Sequence, residues 1–277
     1  MSTEHGGSYS VLMSVYAKEK PEYLKTSMES MFRQTVPTDD FVLVCDGPLT
    51  PELEAVIAKM QRQHGEILRP VRLAENGGLG NALRLGVTEC RNERIARMDS
   101  DDISLPNRCE KELAVLEAHP ELSVVGGIVE EFSSSPDIVD ARRVVPETSE
   151  EIVAFSKKRN PFNHPTVMLR KSNVLKAGNY SPVRYLQDYY LWIDMLTAGM
   201  KGYNIQEPLV RMRADRDLFR RRSGKLYVKI QVDLFKKMYR AGYITGAQYL
   251  SSAAIRVGSA YAPNGLRHFM FERILRK

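Results

Sequence analysis

The sequence lacks the features of a membrane-spanning, secreted or disulfide-stabilised protein. It has no run of 18 apolar residues, and its first residues contain neither a basic stretch nor the apolar core of a signal peptide. The three cysteines, Cys45, Cys90 and Cys109, are odd in number and share no CxxC-type spacing. We therefore expect a protein that neither spans a membrane nor leaves the cell, with reduced thiols and no zinc site.

Low-complexity tracts and internal repeats are also absent. The 277 residues are 43% hydrophobic and 27% charged, which is ordinary usage for a globular protein. The length predicts one large domain, or one domain with an appendage.

Charge is unevenly distributed along the chain. Residues 216–277 contain 14 Lys and Arg against three acidic residues, whereas residues 1–215 contain 26 basic and 31 acidic residues. Such asymmetry usually means that one part meets an anionic surface. We expect a catalytic domain over residues 1–215, followed by a basic C-terminal region over residues 216–277.

The first half alternates between strand and helix patterns. Short apolar runs at residues 10–15, 41–45, 67–73 and 94–98 are each followed by a segment with helical spacing of apolar residues. This alternation predicts a doubly wound α/β domain with a mostly parallel sheet. Beyond it we expect irregular structure over residues 130–163 with a short helix near Glu150, a strand at 164–169, and a helix from Gln187 to about Gly199.

Three carboxylates follow the fourth predicted strand, at Asp99, Asp101 and Asp102. Repulsion between like charges disfavours such a group unless a cation or hydrogen-bond donors neutralise it, and oxygen ligands suit Mg²⁺ or Mn²⁺. A calcium EF-hand is excluded, because Ile103 and Ser104 stand where an oxygen ligand and a glycine are required. The structural alternative is that Asp102 or Ser104 caps the next helix.

Several short motifs occur in a recognisable order. They are Val11-Leu-Met-Ser-Val-Tyr16, Tyr23-Leu24 with Ser30 and Gln34-Thr35, Asp46-Gly47, Asn76-Gly-Gly-Leu, the aspartates at 99–102, and Asp188-Tyr-Tyr-Leu-Trp192. Over residues 9–215 the chain resembles inverting family 2 glycosyltransferases, in particular bacterial enzymes of O-antigen, capsule and exopolysaccharide synthesis. The resemblance implies a GT-A fold with a nucleotide-sugar half at about 9–129 and an acceptor half at about 130–215.

The resemblance also implies a UDP-sugar donor and a divalent cation. Asp46 would bind the uracil edge, Tyr16 would line the base pocket, and Asp99 would reach the ribose. Asp101, with Asp99 or Asp102, would hold Mn²⁺ or Mg²⁺. For Tyr16, an ordinary aromatic at a strand end is the alternative.

Four further residues belong to the expected site. Asp188 would be the catalytic base; without the resemblance it would be read as an acidic residue favoured in a first helical turn. His164 would face the diphosphate or be structural, and Arg213 would neutralise phosphate or be solvated. Asn76 lies in a glycine-rich turn that we place near the donor; the turn matches neither the Walker A nor the Rossmann pattern.

The chain departs from the family pattern at three positions. Gln187 stands where Glu is usual, and Tyr190 stands where a second acidic residue is usual. Asp215 falls where many members carry His, which leaves its role toward metal or phosphate open.

The C-terminal region contains a basic amphipathic helix over residues 225–240. On a helical wheel, Lys225, Lys229, Lys236 and Arg240 share one face, and apolar residues occupy the opposite face. The helix either lies on an anionic cytoplasmic leaflet or packs on the catalytic domain. Residues 266–277 mix aromatic and basic residues and favour the membrane.

A lipid-linked acceptor would explain this basic region. The resemblance then implies transfer of galactose or glucose, commonly in β-1,3 linkage, to a saccharide on polyprenyl diphosphate. The enzyme would be cytoplasmic and peripheral at the inner face of the cytoplasmic membrane.

Two other functions compete with this reading. A sugar nucleotidyltransferase would need a glycine-rich basic signature after the first strand, but residues 16–21 contain no glycine. A nucleic-acid-binding protein would show RNP, KH or helix-turn-helix patterns, and the sequence shows none.

Overall fold

The fold is taken from a computed structural model, in which residues 8–214 and 224–261 are described. Asp215 and the segment 266–277, both discussed above, lie outside the described residues, as do three arginines at 220–222 that could also neutralise phosphate.

The described residues form nine strands and nine α-helices. The strands are β1 (Ser10–Val15), β2 (Asp40–Cys45), β3 (Leu68–Arg72), β4 (Arg94–Met98), β5 (Ile103–Ser104), β6 (Leu122–Phe132), β7 (Ala141–Arg143), β8 (Met168–Arg170) and β9 (Lys201–Arg213). The helices are α1 (Pro21–Phe32), α2 (Pro51–His64), α3 (Leu79–Glu89), α4 (Arg108–Ala118), α5 (Ser149–Ser156), α6 (Lys171–Lys176), α7 (Gln187–Thr197), α8 (Lys225–Arg240) and α9 (Gly246–Tyr261).

All the strands belong to one mixed sheet. Its order is β3-β2-β1-β4-β8-β6-β9-β5, with β7 paired to β6. Strands β3, β2, β1 and β4 are parallel, as are β6 and β9, whereas β8 runs antiparallel to both of its neighbours. The predicted α/β class is confirmed.

Helices cover both faces of the sheet because its central strands are apolar on both sides. In β1, Val11 and Met13 face one core with α1, α2 and α4, while Leu12 faces the other core with α3 and α7. Trp192 of α7 is fully buried in the second core. The parallel strands therefore present their carboxyl ends at one edge, where ligands bind in such sheets.

The structure differs from the sequence-based prediction after residue 130. β6 continues to Phe132 and pairs with β7, so part of the segment predicted to be irregular belongs to the sheet. Residues His164–Thr166 form a 3₁₀ turn, with the strand limited to Met168–Arg170. β9 was not predicted at all, although it is the longest strand among the described residues.

Helix α8 packs against α7, and α9 packs against α8. Leu234, Phe235 and Met238 of α8 are buried in one cluster with Tyr189 and Tyr190 of α7. The apolar face of the amphipathic helix is thus covered by protein, and four of its five basic residues, Lys225, Lys229, Lys236 and Arg240, remain exposed. Within the described ranges, none of the helices is both long enough and apolar enough to cross a bilayer.

Candidate functional site

Asp46 lies at the end of β2 and organises the glycine-rich turn. Its carboxylate oxygens accept hydrogen bonds from the backbone amides of Gly77, at 2.8 Å, and Gly78, at 3.0 Å. Gly47 has φ of 86°, and a Cβ there would come within 2.7 Å of the Asn76 backbone nitrogen. The strand end and the turn are therefore joined closely, and Asn76 also donates to the Asp46 carbonyl at 3.1 Å.

The same turn brings α7 to the site. A Cβ on Gly80 would lie 2.4 Å from the Ser181 carbonyl oxygen and 3.4 Å from Cβ of Gln187. Because only a glycine leaves room for this approach, the start of α3 lies against the start of α7. Asp188, the second residue of α7, is thereby placed beside the carboxyl ends of the strands.

Side chains of α1 and the residues just after it hold the acidic loop that follows β4. The Ser27 hydroxyl donates to the Asp99 carbonyl at 2.6 Å, and the Ser30 hydroxyl accepts from the Ser104 amide at 3.0 Å. Gln34 donates through Nε2 to the Ser104 hydroxyl at 3.1 Å. These contacts give Ser30 and Gln34 a positioning role on the loop rather than direct contact with a ligand.

Asp99 is paired with a buried arginine. Both terminal nitrogens of Arg97 donate to the two Asp99 carboxylate oxygens, one of them at 2.7 Å. Burial by itself lowers the pKa of Arg97, but the charge and hydrogen bonds of Asp99 outweigh it and raise the pKa. The negative charge of Asp99 is therefore largely compensated by the protein.

Asp101 and Asp102 are in different surroundings. Burial, with the nearby charges of Asp99 and Glu19, raises the pKa of Asp101 to about 7. Asp102 is buried and accepts the Arg213 amide at 2.9 Å, and burial together with Asp101 raises its pKa well above the usual range. The acidic loop thus contains more negative charge than the described residues neutralise.

This imbalance fits a divalent cation held at Asp101. Among the described residues, no three His, Cys, Asp or Glu side chains are grouped to hold a metal by themselves. Mg²⁺ in proteins is commonly bound through one or two carboxylates, with substrate phosphates and water completing its shell. Asp101 suits that role, since its carboxylate accepts no hydrogen bond from a described side chain. The metal roles of Asp99 and Asp102 stay predictions.

Arg213 lies over the acidic loop at the end of β9. Its guanidinium carbon is 3.7 Å from the centre of the Tyr23 ring and 4.7 Å from that of Phe132. Its Nε donates to the Asp101 carbonyl at 3.4 Å. Two aromatic rings and the loop backbone therefore contact the half-buried Arg213, and its role toward phosphate stays a prediction.

His164 lies inside the site among aromatic rings. Its Nε2 is 2.9 Å from the Tyr180 hydroxyl, and its ring meets Trp192 edge-on at 6.1 Å between centroids. Burial, together with the charge of Arg97, lowers the pKa of His164 well below its usual value. The imidazole is neutral near pH 7, so contact with a diphosphate would be a hydrogen bond and not an ion pair.

Asp188 is half-buried at the start of α7. Its Oδ2 accepts a hydrogen bond from Asn160 at 2.6 Å, and Leu186, just before the helix, has φ of 62°. Tyr190, which stands where the family usually has a second acidic residue, points to α8 instead. Its hydroxyl donates to the Ile230 carbonyl at 3.2 Å. Tyr16, at the end of β1, is 39% exposed and open to a ligand.

Two residues of the site were not found by sequence reasoning. Arg97 carried a signal, because an arginine between the apolar residues Ala96 and Met98 of a buried strand needs a partner for its charge. Asn160 carried none, since the polar segment around it resembles any loop.

Comparison with known proteins shows which family the chain resembles. A model of the family described as glycosyl transferase family 2 matches residues 10–178. The amylovoran biosynthesis glycosyltransferase AmsE of Erwinia amylovora is 36% identical over 268 residues, covering 96% of this chain and 98% of that protein.

A relative in Escherichia coli has a more specific description. The UDP-Gal:alpha-D-GlcNAc-diphosphoundecaprenol beta-1,3-galactosyltransferase is 32% identical over 269 residues, covering 97% of each chain. Among solved structures, a mannosyltransferase from Pyrobaculum calidifontis in complex with GDP-Man and Mn²⁺ has a TM-score of 0.64 at 13% identity. That match covers 95% of this chain and 78% of the other, and it supports the fold.

Proposed function

This chain belongs to glycosyl transferase family 2, and we propose that it is an inverting, metal-dependent enzyme. It transfers a hexose, galactose or glucose, from a UDP-sugar to a saccharide carried on polyprenyl diphosphate. The observation that carries the proposal is the position of Arg97, whose charge interacts with both Asp99 and Asp188. This interaction supports placing the acidic loop and the expected base in one site.

The donor nucleotide would bind at the ends of β1 and β2. Tyr16 would line the base pocket, and Asp46 would accept the N3–H of uracil. Each carboxylate oxygen has two acceptor positions, so Asp46 can hold the amides of the glycine-rich turn and still bind the base. Asp99, oriented by Arg97, would reach the ribose.

The diphosphate would lie between the acidic loop, Arg213 and His164. A divalent cation at Asp101 would neutralise the negative charge that grows on the departing UDP. Arg213 is held near this position by Tyr23 and Phe132, and its guanidinium would add a positive charge beside the phosphates. Neutral His164 would supply a hydrogen bond.

Asp188 would act as the base. The acceptor hydroxyl oxygen attacks the anomeric carbon, the bond from that carbon to the diphosphate oxygen breaks, and the hydroxyl proton passes to Asp188. Attack from the face opposite UDP inverts the configuration, so the α-linked donor gives a β-linked product.

The acceptor assignment is supported by the C-terminal helices and by the relatives. Four basic residues of α8 are exposed, and α9 exposes Leu250, Ile255 and Val257. Cationic and apolar side chains together suit an anionic leaflet that holds a lipid diphosphate. We place the enzyme at the inner face of the cytoplasmic membrane, and the Escherichia coli relative supports a β-1,3 linkage to GlcNAc.

The proposal is tested first by calorimetric titration of UDP with and without Mn²⁺. UDP-galactose and UDP-glucose are then offered with a GlcNAc-diphospho-lipid, and UDP release and the anomeric configuration of the product are measured. We expect Mn²⁺-dependent UDP binding and a β-linked product. An α-linked product, or no UDP binding in either condition, would overturn the proposal.

A further inference from the structure

The proposed base is held by a residue from a separate loop. We infer that Asn160 is a positioning residue for Asp188, and that helix α9 keeps Asn160 in place through Arg256. This inference rests on the proposed function, because it matters for catalysis only if Asp188 is the base.

The hydrogen bond from Asn160 has a fixed direction. Its Nδ2 donates to Asp188 Oδ2 at 2.6 Å, while its own Oδ1 accepts from the Phe162 backbone amide at 3.3 Å. Because the Phe162 amide can only donate, it holds the oxygen of the Asn160 amide and turns the NH₂ group toward the carboxylate. Asp188 is thus oriented by a donor that cannot reverse its role.

The loop that carries Asn160 is fastened to the C-terminal helices. Between α5 and Asn160, the Lys158 carbonyl accepts a hydrogen bond from Arg256 Nη2 at 2.9 Å. At the end of α5, the Ser156 hydroxyl lies 2.6 Å from the hydroxyl of Tyr243, in the turn between α8 and α9. The loop therefore depends on residues far along the chain.

The contact from α9 to this loop is made by a buried arginine, Arg256. It is only 7% exposed, its guanidinium carbon lies 3.9 Å from the centre of the Phe235 ring, and burial lowers its pKa. Burying a cation costs free energy unless its donors are used, and two of them bind the backbone carbonyls of Lys158 and Ser252. The buried guanidinium of Arg256 therefore helps to hold the loop that carries Asn160.

An amide donor on the base also acts on its ionisation. Among the described residues, the charged and titratable groups that interact with Asp188 include Arg97 of β4, Tyr180 from the loop before α7, and Tyr189 of α7. A hydrogen bond to the ionised carboxylate favours that form, which is the form needed to accept a proton. Asn160 therefore supports both the orientation and the charge of the base.

The substitution Asn160→Asp separates positioning from folding. The new carboxylate has the same shape and still accepts from the Phe162 amide, but it cannot donate to Asp188 and it adds a like charge. We expect kcat to fall roughly 10- to 100-fold, with the KM for the UDP-sugar and the affinity for UDP unchanged. The acidic limb of the kcat–pH profile should move to higher pH. Asn160→Ala should lower kcat and also lower the melting temperature.

Rates are measured as UDP release from whichever UDP-sugar the wild-type chain uses fastest. A wild-type kcat and pH profile in Asn160→Asp, with a loss of stability in Asn160→Ala, would mean that Asn160 is only structural. Asp188→Asn provides the reference: if it releases UDP at the wild-type rate, the base assignment itself fails. If Asp188→Asn is inactive while Asn160→Asp is normal, only the present inference fails.

The contribution of α9 is tested with Arg256→Gln. We expect a lower kcat at unchanged UDP affinity, whereas Arg62→Gln, at an exposed position on α2, should behave as wild type. A wild-type kcat in Arg256→Gln would overturn the part of the inference that concerns α9.

Discussion

Arg97 directs both terminal nitrogens of its guanidinium at the carboxylate of Asp99, two residues further along the chain. Arg97 is 1% exposed, so this pairing takes place away from bulk water. An arginine that binds both oxygens of a carboxylate restricts its orientation as well as its charge. Because Arg97 already binds Asp99, we expect Asp101 to be the carboxylate of the acidic loop that takes up a cation.

Asp101→Asn should therefore abolish the effect of Mn²⁺ on UDP binding. The amide has the same size but carries no charge to attract the cation. Calorimetric titration of UDP should show the wild type binding more tightly with Mn²⁺ and the variant binding equally weakly with and without it.

The matched control is Asp233→Asn, which removes the same charge from an exposed position on α8. It should keep the wild-type response to Mn²⁺. An Asp101→Asn variant that still binds UDP more tightly with Mn²⁺ would move the cation to another ligand.

A second carboxylate, Glu112, should make stability depend on pH. It accepts a hydrogen bond from Arg108 Nε at 3.1 Å, both side chains are fully buried, and burial raises the pKa of Glu112 to about 8. An unfolded chain binds this proton only below about pH 4.3, so the folded state holds more protons between pH 5 and 8. The free energy of unfolding should therefore fall as pH rises through that range, by an amount of the order of 1–3 kcal/mol.

Urea denaturation at pH 5 and pH 8 measures this effect. Glu112→Gln should reduce the pH dependence and leave the contributions of Asp101 and Asp102, whose pKa values are also raised, while Glu117→Gln, exposed on the same helix, should retain it in full. Equal pH dependence in all three proteins would mean that Glu112 stays ionised in the folded state.

Gly80 and Gly258 should respond to alanine in opposite directions. A Cβ at Gly80 would meet the Ser181 carbonyl oxygen at 2.4 Å, and backbone cannot move away cheaply. We expect Gly80→Ala to destabilise the protein by about 1–3 kcal/mol. Gly258 has nothing within 4 Å and lies in α9, so alanine there should stabilise by about 0.5–1 kcal/mol. Thermal denaturation measures the stability of both variants. If Gly80→Ala were as stable as wild type, α3 and α7 would be less closely packed than the structure shows.

The first half of the fold could be predicted because its signals are local. Thr50 caps α2 by accepting the Leu53 amide, and Gly65 ends that helix with φ of 57°, as their sequence positions indicate. β9 could not be predicted in this way. Its alternation is broken by Pro208 and by shifts in its pairing with β6, so only the partner strand reveals it as a strand.

The candidate site also combines residues that local sequence patterns predict with residues that they do not. Asp46 and the aspartates at 99–102 follow apolar strands, so their place at one edge of the sheet follows from parallel topology. The bond from Asn160 to Asp188 joins residues 28 positions apart through the packing of two helices and a loop. No local pattern marks such a contact, and the same holds for Arg256 and Lys158, which are 98 positions apart.

The exposed lysines of α8 should determine binding to anionic membranes. Lys225, Lys229 and Lys236 lie on one exposed face, opposite the residues packed on α7. Each basic residue near an anionic leaflet contributes about 1 kcal/mol, so replacing all three by Gln should weaken binding roughly a hundredfold. Vesicles rich in phosphatidylglycerol, with bound protein separated by flotation, provide the measurement.

A second triple variant, with Lys59, Lys176 and Lys201 replaced by Gln, removes the same charge from exposed positions on the catalytic domain. It should bind nearly as well as wild type, and binding of the wild type should weaken as salt rises. Equal losses in the two variants would attribute binding to net charge alone, and binding unaffected by salt would shift the contact to the apolar residues of α9.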